Sequence, residues 1–176
     1  AERLEDLINE FFDITRFNLT SISLEKETIN LSRMAEQIVS EFEPVLSEKD
    51  LRWNIHIEPG IMMVCDSNKL ERVFDNLIRN AVNYSYRNTE IKVCLTKNNK
   101  EIVLNVENYG RTISPEKLEH IFEQFFRLDS ARSSSTGGAG LGLAIAKEIV
   151  TLHGGTISAD SHDEITTFSI TLPVSS

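Results

Sequence analysis

The sequence predicts an α/β fold in which a mixed β-sheet is covered by helices on one face, a two-layer sandwich. Two observations carry this prediction. Segments with apolar residues at every third or fourth position interleave along the chain with segments in which apolar and polar residues alternate. The chain has 176 residues, of which 40% are hydrophobic and 26% charged, so it is long and apolar enough for one domain with a sizeable core.

The first predicted element is an N-terminal helix with an apolar seam of Leu4, Leu7, Phe11 and Ile14, spaced as in a coiled coil. A helix packed on its own domain is the alternative for this segment. The other predicted elements, in chain order, are a connector over 19–28, a helix over 31–47, strands over 51–57 and 61–64, a helix beginning at its cap Ser67, strands over 91–96 and 101–107, a short helix after Pro115, a loop over 130–139, a helix over 141–152, and strands over 156–160 and 165–172.

Composition excludes several classes of function. A formal net charge of −9 argues against a nucleic-acid partner, which requires a basic surface. No apolar run is long enough to cross a bilayer. Cys65 and Cys94 stand alone on strand-like segments, so buried thiols are expected rather than a disulfide or a metal site. We expect a cytosolic chain, and a piece of a longer one, since it starts inside a helical pattern.

A glycine-rich segment over 137–142 leads directly into the helix predicted over 141–152. Glycines allow backbone N–H groups to approach phosphate oxygens closely, and the N-terminus of the following helix attracts the same anion. The segment has neither the spacing of a P-loop nor that of a dinucleotide-binding turn. A plain packing turn remains the structural alternative.

The helix beginning near Ser67 has an apolar face and a second face rich in asparagine. Asn76, Asn80, Asn83 and Tyr84 are three or four residues apart, so they are neighbours on this second face. Asparagine is a modest helix former, which suggests a function for this face, although a solvated polar face is the alternative. An amide oxygen is a ligand that Mg²⁺ accepts, and we expect Asn80 to supply it beside substrate phosphates.

Three further segments complete a recognisable set: Val106 to Pro115, Ile121 to Arg127, and His153 to Gly155. With the asparagine helix and the glycine-rich segment, they resemble the ordered N, G1, F, G2 and terminal Gly-Gly boxes of sensor histidine kinases. That family shares its ATP-binding fold with gyrase, the Hsp90 chaperones and the mismatch-repair ATPases. Segments 12–16, 127–134 and 166–168 resemble, more narrowly, the sensor kinases that control vancomycin resistance.

The resemblance implies a domain organisation and a set of partners. Residues 1–20 would be the end of the second helix of a dimerisation and phosphoacceptor hairpin, 21–30 a linker, and 31–173 the catalytic and ATP-binding domain. The implied partners are the phosphoacceptor hairpin of the same or a partner protomer and a response regulator. The parent protein would be a membrane-anchored homodimer, with this part of it in the cytoplasm.

The resemblance also implies a site that binds ATP and Mg²⁺. Asn80 would be the Mg²⁺ ligand, and Asn80 with Arg127 would be the catalytic pair. The implied ATP contacts are Asn76, Asn80, Tyr84, Asn108, Gly110, Thr112, Ile113, Arg127, Gly138, Gly140, Leu141, Gly142, Leu143 and Thr167. Three positions depart from the family pattern: Asn108 stands where the family has Asp, Thr112 where it has Gly, and Asn83 where it has Lys.

The implied reaction is transfer of the γ-phosphoryl group to a histidine outside this chain. Asn76 stands where gyrase-type ATPases have the glutamate that activates water, and an amide cannot accept that proton. None of the four histidines begins a His-Glu/Asp-x-x-x-Pro acceptor motif; His153, at a helix end, would suit the helix dipole as an imidazolium. A catalytically weakened nucleotide-binding module, a stand-alone ATPase and a protein-serine kinase remain alternatives.

Overall fold

Helices and strands alternate along the described chain, which comprises residues 4–8, 23–126 and 142–174 of a computed structural model. The elements in order are α1 (described over 4–8), β1 (Glu27–Asn30), α2 (Leu31–Glu41), α3 (Glu43–Glu48), β2 (Arg52–Ile57), β3 (Met62–Cys65), α4 (Ser67–Tyr84), β4 (Glu90–Lys97), β5 (Glu101–Tyr109), α5 (Pro115–Leu118), α6 (Gly142–Leu152), β6 (Thr156–His162) and β7 (Ile165–Pro173).

Five strands form one sheet in the order β2-β4-β5-β7-β6. β2 and β4 are parallel, and the chain crosses between them through α4, whereas the other three pairs are antiparallel. β1 and β3 form a separate two-stranded antiparallel sheet. The five-stranded sheet is therefore mixed, as the sequence predicts.

One face of the sheet carries the core. Every second side chain along β4, β5 and β7 is buried, and α2, α4 and α6 pack their apolar sides within the same core. The opposite face bears mostly polar, half-exposed residues and no helix among the described elements. The two-layer α/β sandwich is thus confirmed. Within the described residues, no helix has the length and apolar character needed to cross a membrane.

Two predicted element boundaries were wrong. The helix predicted over 31–47 is divided at Phe42 into α2 and α3, because Pro44 lies in the first turn of α3 and cannot continue an α-helix from the preceding turn. The last four residues of the predicted linker 21–30 form β1, which pairs with β3. Of the predicted N-terminal seam, Leu4 and Leu7 are exposed, and the rest lies outside the described residues.

The start of α4 is capped by Asp66 rather than by the predicted Ser67. The Asp66 carboxylate accepts hydrogen bonds from the Lys69 backbone N–H at 3.2 Å and from the Glu25 backbone N–H at 3.0 Å. These bonds and the Lys69 ammonium hold the pKa of Asp66 below its usual value, although burial opposes them. The cap therefore also attaches the segment before β1 to the start of α4.

His153, at the end of α6, is buried against this cap. Its Nε2 accepts a hydrogen bond from the Asp66 backbone N–H at 3.1 Å, and its Nδ1 donates to the Ile149 carbonyl at 2.8 Å. An Nε2 that accepts carries no proton, so the ring is neutral, and burial lowers the pKa of His153. The ring is therefore not the imidazolium that would suit the dipole at a helix end. Instead, the neutral ring joins the end of α6 to the start of α4.

Candidate functional site

A cavity of about 170 Å³ lies between the C-terminal half of α4 and the ends of β5 and β7. Its walls come from α4, the end of β5, the loop that follows it, α5 and β7. The lining residues are Asn80, Tyr84, Asn108, Arg111, Thr112, Ile113, Ser114, Lys117, Thr166 and Phe168. Five of them (Asn80, Tyr84, Asn108, Thr112 and Ile113) belong to the set that the sequence singles out.

The polar side chains on the asparagine face of α4 have two different roles, lining the cavity and holding α6. Asn80 and Tyr84 are one helical turn apart and both line the cavity. Asn76 lies one turn earlier and donates its Nδ2 hydrogen to the Gly142 carbonyl at 3.0 Å. Asn76 therefore fixes the first residue of α6 against α4 and lies outside the cavity lining.

Asn108 forms the polar floor of the cavity. Asn108 is only 2% exposed, because its side chain points from β5 toward α4 and the core. Among the described residues, neither the Asn108 amide nor the Asn80 amide has a hydrogen-bond partner. Asn108 is buried and Asn80 is half-buried, and both line the cavity, so their amides are available to hydrogen-bond a ligand there.

The loop after β5 is held in place by the β6–β7 hairpin. The Glu164 carbonyl accepts from the Gly110 N–H at 3.0 Å, and the Glu164 N–H donates to the Thr112 hydroxyl at 2.8 Å. The Ile113 N–H donates to the Ser161 hydroxyl at 2.9 Å. These bonds position the cavity wall without the help of a ligand.

Gly110 has a packing role in this arrangement. A Cβ atom at this position would collide with the carbonyl oxygen of Tyr84, the last residue of α4. Only glycine allows the end of β5 to approach α4 so closely. Glycine is required here by the contact between β5 and α4, not by a ligand. This close contact sets the distance between Tyr84 and Asn108 across the cavity.

The threonine that lines the cavity is Thr166 and not the predicted Thr167. Thr166 pairs with Asn108 across β5 and β7 and lines the cavity, whereas Thr167 faces the other side of the sheet. There its hydroxyl lies 3.4 Å from a carboxylate oxygen of Glu107. Side chains alternate between faces along a strand, so adjacent threonines cannot both reach the cavity. The Thr166 hydroxyl hydrogen-bonds the Ser161 hydroxyl at 2.8 Å.

Sequence reasoning missed Arg111, Ser114 and Lys117, as well as Thr166 and Phe168. Ser114 caps α5 by accepting from the Lys117 N–H at 3.4 Å, which brings the Lys117 side chain near the cavity. The Ser114-Pro115 pair is a typical helix start, so the first turn of α5 could have been added to the site from the sequence. Arg111 carries no such signal.

The described lining of the cavity is basic. Arg111 and Lys117 contribute two cations, and no carboxylate is among the described lining residues. This balance suits a polyanion such as a nucleotide. The described residues hold no cluster of three His, Cys, Asp or Glu side chains. A divalent ion at this site would therefore take its oxygens from the Asn80 amide, ligand phosphates and water, a set that fits Mg²⁺.

The remaining predicted contacts lie at the start of α6 or outside the residues that the structure describes. Arg127, Gly138, Gly140 and Leu141 are outside the described residues, so their predicted roles stay predictions. Gly142 and Leu143 begin α6. Gly142 packs against Asn76, and Leu143 is partly buried against the core.

The chain matches known proteins over the same elements. Residues 65–176 match the family model described as histidine kinase-, DNA gyrase B-, and HSP90-like ATPase. The sensor protein VanSC of Enterococcus gallinarum is 49% identical over 173 residues, which cover 98% of this chain and 48% of that protein. The sensor protein VanS of Enterococcus faecium is 48% identical over 173 residues, 98% of this chain and 45% of that protein.

A solved structure supports the same fold. The histidine kinase AdeS of Acinetobacter baumannii superposes with a TM-score of 0.81 at 22% identity, covering 99% of this chain and 80% of that one. At this identity the likeness concerns the fold. The chain spans about half the length of the curated relatives that it matches, 48% and 45% in the two cases above.

Proposed function

The chain belongs to the family of histidine kinase-, DNA gyrase B- and HSP90-like ATPases, and we propose that it is the ATP-binding catalytic domain of a two-component sensor histidine kinase. It transfers the γ-phosphoryl group of Mg-ATP to a histidine on a phosphoacceptor hairpin. Its similarity to two VanS-type sensor proteins supports a role in glycopeptide-resistance signalling. The observation that carries the proposal is the cavity whose described lining has two cations, no carboxylate and two amides, Asn80 and Asn108, without a hydrogen-bond partner among the described residues.

Different residues of the site bind different parts of the nucleotide. Asn108 at the floor accepts a hydrogen bond from the base, and Tyr84 packs beside the base plane. Asn80 directs its amide oxygen to Mg²⁺. Arg127 and the glycines of 138–142 neutralise and bind the phosphates, a part of the proposal that rests on the family resemblance.

Phosphoryl transfer of this kind depends on positioning and charge neutralisation. Bound Mg-ATP supplies the transferable group and the cation that neutralises its oxygens. Asn76 has its amide N–H engaged with Gly142, and the described cavity lining has no carboxylate that could activate water. The site therefore favours transfer to an incoming histidine over hydrolysis, which argues against the stand-alone ATPase.

The assembly around this domain is part of the same proposal. The acceptor is the hairpin of the same or a partner protomer, the phosphoryl group passes on to a response regulator, and the parent protein is a membrane-anchored dimer. These statements rest on the resemblance to sensor kinases and on the relatives' names as sensor proteins.

Labelled ATP tests the reaction. Incubated alone with γ-labelled ATP and Mg²⁺, the chain is expected to take up no acid-labile phosphate. With a separate phosphoacceptor hairpin from a similar sensor kinase, it is expected to label the hairpin slowly, because no tether raises the local concentration. Acid-labile label on any of the four histidines of this chain would overturn the proposed division of roles.

The variant Asn80→Ala tests the proposed metal ligand. Loss of a metal ligand is expected to lower Mg²⁺-dependent transfer by at least about a hundredfold, or about 2.7 kcal/mol. Asn68→Ala, an exposed position on the same helix, is the matched control and is expected to retain the original rate. Transfer by Asn80→Ala within a few-fold of the unmodified protein would show that Mg²⁺ is held elsewhere.

A second candidate function is favoured by one observation, the amide at the cavity floor. Asn108 replaces the ionised acceptor of the family pattern, and a hydrogen bond to a neutral acceptor is weaker. A module that binds nucleotide for its effect on a partner, without transferring phosphate, would combine measurable Mg-ATP binding in calorimetry with no labelling of any hairpin.

A further inference from the structure

We propose that the base-binding floor of this cavity accepts 6-oxopurine nucleotides as well as adenine nucleotides, with Asn108 as the residue that determines this breadth. The inference rests on the proposed function, since it concerns the nucleotide of the same site. It adds a second class of ligand, nucleotides of the hypoxanthine type.

The chemistry of the amide is the first step. A carboxylate at the floor offers only acceptors, so it pairs with the exocyclic amine of adenine and repels the oxygen that replaces that amine in hypoxanthine. An asparagine amide offers one acceptor and one pair of donors. Rotated by half a turn about its last side-chain bond, the same group donates to an oxygen instead of accepting from an amine.

The structure leaves Asn108 free to choose between the two orientations. The residue is 2% exposed and lines the cavity, and none of the described residues hydrogen-bonds either end of its amide. A partner would have fixed one orientation and with it one class of base. Here the ligand sets the orientation.

Neighbouring groups do not restore a preference for adenine. The nearest carboxylate on β5, Glu107, belongs to the opposite face of the sheet. Thr166, which pairs with Asn108 across the strands, shares a hydrogen bond with Ser161 in which either hydroxyl can donate. Arg111 and Lys117 in the cavity lining attract the charge of any nucleotide equally. Among the described lining residues, discrimination at position 6 of the purine therefore depends on Asn108.

Calorimetric titration with ADP and IDP in Mg²⁺ tests the proposal, because these ligands differ only at position 6 and the protonation of N1. The unmodified chain is expected to bind IDP within about tenfold of ADP, a difference of about 1.4 kcal/mol. Asn108→Asp is expected to tighten ADP binding and to widen the ratio of the two dissociation constants at least about tenfold. Asn108→Ser keeps both a donor and an acceptor, so its ratio is expected to stay near the original.

The matched control is Asn105→Asp, which adds the same charge on the outer face of the same strand, away from the cavity. Its ratio is expected to equal that of the unmodified chain. The inference is overturned if the unmodified chain binds ADP but rejects IDP by more than about fiftyfold, or if Asn108→Asp leaves the ratio unchanged. If neither nucleotide binds a folded chain, the proposed function itself fails.

Discussion

Replacing His153 by phenylalanine tests the link between the end of α6 and the start of α4. The change removes the acceptor of the Asp66 backbone N–H and the donor to the Ile149 carbonyl. That carbonyl still accepts from the backbone N–H of residue 153 at 3.2 Å, so only the Asp66 N–H loses its partner. One unsatisfied buried donor costs about 1–3 kcal/mol. We expect His153→Phe to lower the free energy of unfolding at pH 7.5 by that amount.

The same variant has a signature in its pH dependence. Burial lowers the pKa of His153 from its ordinary value of 6.5; Lys26 and Lys69 lower it further, while the bond to Ile149 and the charge of Asp66 oppose the change. The unfolded state therefore binds the proton first. Stability due to the neutral ring is complete above pH 6.5 and declines as the pH falls below it, by at most about 1.4 kcal/mol per pH unit, until the pH reaches the lowered pKa.

Urea unfolding at pH 7.5, 6.5 and 5.5 measures both effects. The unmodified chain is expected to lose more stability between pH 6.5 and 5.5 than His153→Phe does. Asp66 does not interfere, because its pKa is also lowered, from 3.8, and its contribution is lost only at more acidic pH. His162→Phe, at a side chain that is 66% exposed, is the matched control for loss of a histidine and should change the stability at pH 7.5 by no more than about 0.5 kcal/mol. Equal slopes for the unmodified chain and His153→Phe would refute the reasoning.

Four further substitutions address backbone packing, a buried thiol and a helix terminus. Gly110→Ala, whose Cβ would collide with the Tyr84 carbonyl, is expected to cost about 1–3 kcal/mol in urea unfolding and to weaken nucleotide binding. Gly60→Ala meets no atom and has only the strain of its φ of 73°, so its cost should stay near 1 kcal/mol and leave binding unchanged. Burial raises the pKa of Cys65 to about 11 from 9.0, so the unmodified chain should lose stability as the pH rises between those values, and Cys65→Ala should lose less. Lys49→Met removes an ammonium that donates to two carbonyls at the end of α4, at 2.7 and 3.0 Å, and should lower the melting temperature. An unchanged melting temperature would contradict this role of Lys49.

Local signals in the sequence account for most of the secondary structure. The strands β4, β5 and β7 alternate as predicted, and each boundary differs from the prediction by no more than a few residues. The division of the predicted helix 31–47 at Phe42 has a local cause in Pro44, whereas two other exceptions have tertiary causes. β1 is a strand only because β3 lies beside it, and its four residues carry no strand pattern that separates them from a linker. The cap of α4 moved from Ser67 to Asp66, where the carboxylate also serves the Glu25 N–H.

The site divides in the same way. Asn80 and Tyr84 line one cavity because residues four apart on a helix are neighbours, which the sequence by itself determines. The residue types in the sequence likewise determine the chemical character of the described lining, which has amide side chains and no carboxylate. The choice of Thr166 over Thr167 required the register of β7 against β5, since a shift of one residue reverses the face of every side chain. Only the tertiary structure decided that Asn108 is buried with no hydrogen-bond partner for its amide among the described residues, and that His153 is neutral. Burial and hydrogen bonding depend on elements far away in the sequence.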